Sequence, residues 1–176
     1  MTNIDRFPAG VLTGDAVTEL FAAAKQEGFA LPAANCTGSN SMNAVMETAS
    51  KLSAPAIIQF SHGGGAFVAG KGIKAKGDAA AVCGSIAGAH HVRALAAAYD
   101  ARIVLHTDHC AKDKLGWVDG LLDAGEEYFA RTGEPLFSSH MLDLSEEPIH
   151  ENLDICVRYL TRMSNMGMTL EIELGI

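Results

Sequence analysis

Short β-prone runs alternate with longer helical patterns along the chain, and no other feature restricts its fold so strongly. Apolar runs fall at 29–35, 56–60, 102–106, 135–139 and 168–174, the last alternating strictly at its end. Residues at helical spacing occupy 15–25, 41–52, 79–99, 114–131 and 146–166. Pro32 weakens the first strand, and Gly84 and Gly88 weaken the start of the third helix. The last helix opens with Ser145-Glu146-Glu147-Pro148, a cap candidate followed by acids suited to the helix dipole. The order α-β-α-β-α-β-α-β-α-β specifies parallel strands joined by helical crossovers. Five such strands suit a doubly wound sheet or the first part of a (β/α)₈ barrel. A whole barrel takes about 250 residues, more than the 176 here. Either architecture places its ligand beyond the carboxyl ends of the strands, at Asn35, Ser61, 106–109, 139–143 and Glu173.

Composition removes several functional classes. With 48% apolar residues the chain can bury a core, so disorder is excluded. Thirteen Lys and Arg against 21 Asp and Glu give a net charge of −8, which argues against nonspecific nucleic-acid binding. No apolar run approaches the roughly 20 residues that span a bilayer, and residues 1–6 lack the apolar core of a secretory signal. Cys36, Cys83, Cys110 and Cys156 stand apart with no C-x-x-C pair, unlike a disulfide scaffold or a zinc ribbon. A reduced, cytoplasmic, single-domain protein is the expectation.

The strongest local chemical signal is His106-Thr107-Asp108-His109-Cys110, directly after an apolar strand. Two imidazoles and a carboxylate suit a transition metal, the carboxylate as ligand or base. In extended geometry His106 and Asp108 share a face while His109 points away, unless the chain turns there. The alternative is a polar cluster capping the next helix. Glu171 and Glu173 share a face of the last strand; burial there demands a partner or a metal, and an exposed terminal strand demands neither. Ser61-His62-Gly63-Gly64-Gly65 reads as a loop whose free amides could cradle phosphate. The stretch 65–72 nearly spells a Walker A loop, but Gly72 stands where Ser or Thr would meet magnesium. His90 and His91, neighbours on a helix, point about 100° apart and are read as packing residues. His150-Glu151-Asn152-Leu153-Asp154 lacks the second histidine of a zincin helix.

Together these segments resemble the class II fructose-1,6-bisphosphate aldolases. The resemblance is carried by Asn35, by Gln59-Phe60-Ser61-x-Gly63-Gly64, and by Leu105-His106-Thr107-Asp108-His109-Cys110. Phe137-Ser138-Ser139-His140-Met141-x-Asp143-Leu144-Ser145-Glu146-Glu147 and Met168-Thr169-Leu170-Glu171-Ile172-Glu173-Leu174-Gly175 extend it. Gly70-Lys71-Gly72 and Gly88-Ala89-His90-His91-Val92 resemble the dimeric bacterial and fungal branch. The resemblance implies a (β/α)₈ barrel, a homodimer and a zinc-dependent lyase. That enzyme would cleave fructose 1,6-bisphosphate reversibly into dihydroxyacetone phosphate and glyceraldehyde 3-phosphate. By resemblance, Asp108 exchanges a proton with the C4 hydroxyl, and His109 is a zinc ligand. Asp143 and Glu173 bind the metal in an alternative or second position, a second divalent or a monovalent cation being allowed. Asn35 and Ser61 lie near the phosphate of the aldehyde half, while His106 and Glu171 take supporting roles.

Two departures accompany the resemblance. His62 stands where the family pattern has Asn. The sequence ends at Ile176, before the family's mobile glycine- and glutamate-rich loop, two further zinc histidines and the other phosphate site. Residues 1–176 are therefore expected to form the N-terminal part of one barrel domain, inactive alone and exposing two sheet edges. Competing readings are a tagatose-bisphosphate aldolase and a noncatalytic sugar-phosphate-binding half barrel.

Overall fold

A computed structural model describes residues 6–175. Seven strands and six α-helices follow one another as β1 (Gly10–Val11), α1 (Asp15–Glu27), β2 (Ala33–Asn35), α2 (Ser39–Lys51), β3 (Ala56–Ser61), α3 (His62–Ala69), α4 (Ala79–Leu95), β4 (Arg102–Asp108), β5 (Cys110–Ala111), α5 (Leu115–Thr132), β6 (Ser139–Asp143), α6 (Ile149–Ser164) and β7 (Thr169–Glu173). A 3₁₀ turn at Lys112–Lys114 precedes α5. Every strand pairing is parallel. β3 lies between β2 and β4, and β6 lies between β5 and β7. Since β4 and β5 are separated by His109 alone, the strands form an arc β2-β3-β4/β5-β6-β7 in sequence order. A doubly wound sheet reverses its order at a switch point. This arc does not reverse, so the arrangement is of barrel type.

Alternation along the strands sorts side chains between two faces. Ile58, Phe60, Ile103, Leu105 and Leu142 face outward into one large core with Met42, Met46, Val92, Trp117, Leu121, Leu122 and Met163. Burying each such side chain contributes about 1.5–3 kcal/mol. The opposite face has its apolar plug at the base, where Val104 and half-buried Ile57 meet Phe7, Leu12, Val17 and Leu20 of the N-terminal segment and α1. Above that plug, Gln59, His106, Asp108, Ser139, Thr169 and Glu171 line a cavity of about 520 Å³.

Several boundaries differ from the sequence expectation for identifiable reasons. The strand expected at 29–35 narrows to Ala33–Asn35; Pro32 has no N–H to donate, although its carbonyl accepts from Ile57 N–H at 2.9 Å. The strand expected at 135–139 lies at Ser139–Asp143. Leu136 and Phe137 are buried lead-in residues of the outer core, and the Arg93 guanidinium donates to the Leu136 carbonyl. The helix expected from 146 begins at Ile149 because Pro148 occupies its N-cap. The glycine-rich loop expected at 61–65 is instead the start of α3, capped by the Ser61 hydroxyl, which accepts from Gly64 N–H at 3.1 Å. Its glycines allow α3 to lie against α4, and a Cβ on Gly84 would be driven into the Gly65 carbonyl. Strand β1, unread from sequence, pairs Gly10 with Arg102 and Val11 with Ile103.

Candidate active site

The carboxyl ends of the strands deliver the candidate residues together. Asn35 ends β2, Ser61 ends β3, Asp108 ends β4, Asp143 ends β6 and Glu173 ends β7. Register places Ser61 beside Asp108 and Asp143 beside Glu173. Asn35 Nδ2 donates to Asp108 Oδ2 at 2.7 Å, fixing that carboxylate across two strands.

His109 resolves the geometric ambiguity of the sequence. Its φ of 46° is left-handed, a conformation costing a non-glycine residue about 1–3 kcal/mol and concentrated at functional sites. The kink turns His109 onto the face occupied by the acids. Its Nδ1 lies 3.1 Å from Asp143 Oδ2 and 3.5 Å from Glu173 Oε2, with Nε2 3.8 Å from Asp108 Oδ1. One donor atom each from His109, Asp143 and Glu173 lies within 4.8 Å of the others. An imidazole with two carboxylates fits a divalent transition metal, and zinc is commonly held by three such ligands plus water.

The electrostatics follow from these contacts. Ser145 Oγ–H donates to Asp143 Oδ1 at 2.7 Å, and this bond, followed by that from His109, holds the Asp143 carboxyl below its usual range. The bond to Asp143 raises the His109 pKa, aided by the charges of Asp108, Asp143 and Glu173. A metal binds the neutral imidazole, so the raised His109 pKa links metal binding to pH. Deeper in the cavity His106 Nδ1 shares a hydrogen bond with Ser139 Oγ at 2.7 Å, and its Nε2 lies 3.3 Å from Glu171 Oε2. The His106 contact holds the Glu171 pKa low. Behind the strands, burial pushes His140 down to about 3, and its Nδ1 shares a 2.8 Å hydrogen bond with Thr107 Oγ1.

The remaining sequence candidates separate into distinct places. His62 is tied to Asp78, at the start of α4, at 2.8 Å, and stacks edge-on against Trp117. His91 shares a 2.7 Å hydrogen bond with Asn43, and His90 packs on Tyr128, both as packing residues. All four cysteines are free thiols, three of them buried. Among the described residues no helix is long and apolar enough to cross a membrane. Sequence reasoning took Ser145 as a cap candidate, whereas Pro148 holds the cap and Ser145 bonds Asp143; Ser139, Thr107 and His140 fell within the strand-end windows without individual roles. Gln59, a polar residue inside an apolar strand, adds to His106, Asp108 and Glu171 as a signal for the cavity wall.

Comparison with known proteins is consistent over almost the entire chain. The family model described as fructose-bisphosphate aldolase class-II matches residues 15–176. The fructose-bisphosphate aldolase class 2 of Escherichia coli (strain K12) is 61% identical over 167 residues, covering 94% of this chain and 46% of that protein. The fructose-bisphosphate aldolase of Haemophilus influenzae is 60% identical over 174 residues, covering 98% of this chain and 48% of its own length. The crystal structure of the Campylobacter jejuni fructose-bisphosphate aldolase superposes with a TM-score of 0.93 at 49% identity, over 99% of this chain and 50% of that one. The chain thus spans about half the length of these relatives.

Proposed function

Because the chain belongs to the class II fructose-bisphosphate aldolase family, we propose that it supplies the metal-holding and proton-transferring part of a zinc-dependent lyase. The reaction is reversible cleavage of fructose 1,6-bisphosphate to dihydroxyacetone phosphate and glyceraldehyde 3-phosphate. The observation that carries this reading is the meeting of His109, Asp143 and Glu173 beside an Asp108 fixed by Asn35.

His109 would ligate the metal, with Asp143 and Glu173 holding it in an alternative or second position. When bound, it supplies positive charge beside the substrate carbonyl, easing the negative charge left by breaking the C3–C4 bond. Asp108 receives the C4 hydroxyl proton in cleavage and returns it in synthesis, a role that requires hydrogen-bond reach. Asn35, bonded to Asp108, orients that carboxylate, and its position near Ser61 serves the aldehyde-half phosphate. The N-terminus of α3, capped by Ser61, contributes a partial positive charge suited to the same anion. The lower cavity, with Glu171 on His106, supports Asp108 from beneath. A homodimer in the cytoplasm completes the reading, supported by the family resemblance, the free thiols and the acidic composition.

The test uses the protein at its encoded length in an assay coupled to glyceraldehyde 3-phosphate formation. Chelation abolishes cleavage, zinc restores it, and borohydride with substrate traps no lysine adduct. Turnover that survives complete metal removal, or a trapped Schiff base, would overturn the proposal.

A further inference from the structure

Strands β4 and β6 are neighbours in the arc, yet they belong to separate hydrogen-bonded sheets. At its base the seam between them is wedged by the N-terminal segment: Leu12 N–H donates to the Ile103 carbonyl, and Ser138 Oγ–H donates to the Leu12 carbonyl. Above the wedge, Leu105 to Thr107 meet Ser138 to His140: Ser138 N–H donates to the Leu105 carbonyl at 2.8 Å, and side chains join all three rungs. Ser138 Oγ accepts from Leu105 N–H at 2.9 Å, Ser139 Oγ meets His106 Nδ1 at 2.7 Å, and His140 Nδ1 meets Thr107 Oγ1 at 2.8 Å. Backbone pairing resumes where Cys110 faces Leu142. Between the last side-chain rung and that ladder, Asp108 and His109 oppose Met141 alone, and His109 N–H points to Met141 Sδ at 3.4 Å. Two residues against one is the arrangement of a β-bulge, a device that re-aims side chains beside active sites. His109, at φ 46°, is the extra residue.

We propose that Thr107 and His140 are positioning residues for the metal centre: their hydrogen bond fixes where the bulge begins and so aims His109 at Asp143. Both residues are essentially inaccessible to solvent, so neither touches substrate. Their bond is the last fixed point on the seam before the bulge, one residue below Asp108 and three below Asp143. His140 remains a neutral hydrogen-bonding group because burial suppresses its protonation. Groups bonded directly to metal ligands typically cost 10–100-fold in metal affinity when lost; Thr107 and His140 act one step further out, through the backbone, so the lower end of that range is expected. The assignment rests on the reading of His109, Asp143 and Glu173 as a metal centre.

The experiment is a cobalt(II) titration of the metal-free protein at its encoded length, followed by the visible absorption of the bound ion and paired with thermal melts. Thr107→Val, which keeps shape and removes the hydroxyl, weakens cobalt binding on the order of tenfold and shifts the absorption band. Thr107→Ser restores both. His140→Leu behaves like Thr107→Val, and His140→Asn, which keeps a polar atom near the Nδ1 position, recovers most of the affinity. Should His140→Leu fail to fold, the Thr107 pair decides. Ser85→Ala, which removes the partner of Trp117 Nε1–H on the outer face, lowers the melting temperature without altering cobalt affinity. Wild-type cobalt affinity and spectrum in Thr107→Val would overturn the proposal, as would equal weakening in Ser85→Ala. Retention of cobalt by both His109→Ala and Asp143→Ala would instead sink the metal-centre reading itself.

Discussion

The two faces of the strand arc are built from the same six strands and share almost no chemistry. On the outer face Ile58, Phe60, Ile103, Leu105 and Leu142 are completely buried against helices. On the inner face, above the plug formed by α1, stand Gln59, His106, Ser139 and Glu171, and then Asp108, Asp143 and Glu173. Outer contacts are nondirectional and add up with area. Inner contacts are directional, and no buried side-chain nitrogen or oxygen among the described residues lacks a partner. One step along a strand therefore exchanges a residue that holds the fold for one that sets the site.

That division is open to direct attack. The largest effect should come from Asp108→Ala on the inner face. Cleavage falls about 10²–10⁴-fold, the range for losing a general acid–base group, while metal content and melting temperature stay near wild type. Turnover close to wild type would remove Asp108 from proton transfer. On the outer face Phe60→Ala, which empties a site wedged between Gly88 and Phe137, costs about 3–5 kcal/mol in denaturant unfolding. Surviving folded protein should retain its metal affinity. Loss of metal at full stability would show that the faces are not separable.

His140 tests the division from the outer side, by acidification. Its folded pKa is held at about 3 against 6.5 for the free side chain. Between those values the unfolded chain takes up a proton that the folded chain refuses. Stability is therefore lost as pH falls from about 6.5 towards 3, approaching about 1.4 kcal/mol per pH unit. Asp143 and Glu171, whose pKa values are lowered, also lose stability on acidification. The informative quantity is hence the difference between wild type and His140→Asn, whose pH–stability curve should be flatter. Parallel curves would dismiss the buried imidazole as the source.

Ser61 should give the smallest effect, because it belongs to both categories. Ser61→Ala removes the α3 cap at a cost of about 1 kcal/mol and raises KM for the bisphosphate. Ser61→Asp restores the cap but places a carboxylate beside the proposed phosphate position, so stability recovers while KM rises further. If stability and KM moved together in both variants, the phosphate role would reduce to capping.

How much was legible in the sequence also divides by face. Outer residues repeat at fixed spacing, so the helix–strand alternation and the strands at Ala56–Ser61, Arg102–Asp108 and Thr169–Glu173 could be read directly, whereas Ser139–Asp143 was read four residues early and Ala33–Asn35 too long. The candidate ligands were legible through the family resemblance; residue type and strand-end position marked the same places but left a capping cluster and an exposed strand equally open. Periodicity could not reveal that His109 turns onto the acids, because one left-handed residue changes no pattern. The helix at His62–Ala69 was hidden for a related reason: glycine has poor helix propensity, and only contact with a second helix makes it an asset. Strand β1 is two residues long and depends wholly on its partner Arg102–Ile103.

The glycine contact between α3 and α4 has a consequence for how this chain can vary by mutation. Cβ atoms at Gly65, Gly84 and Gly88 would collide with Ser85 and Ala81, with the Gly65 backbone, and with the Phe60 ring respectively. Every missense change at a glycine codon adds a Cβ, so none of these three positions has a silent neighbour in protein space. A tolerated change at Gly65 or Gly84 would require α3 to withdraw from α4, dragging Ser61 and the end of β3 with it, and one at Gly88 would require the Phe60 ring to move. Although it lies outside the cavity, this cluster should rank with the candidate-site carboxylates as a mutational cold spot, and a deep mutational scan would place it there.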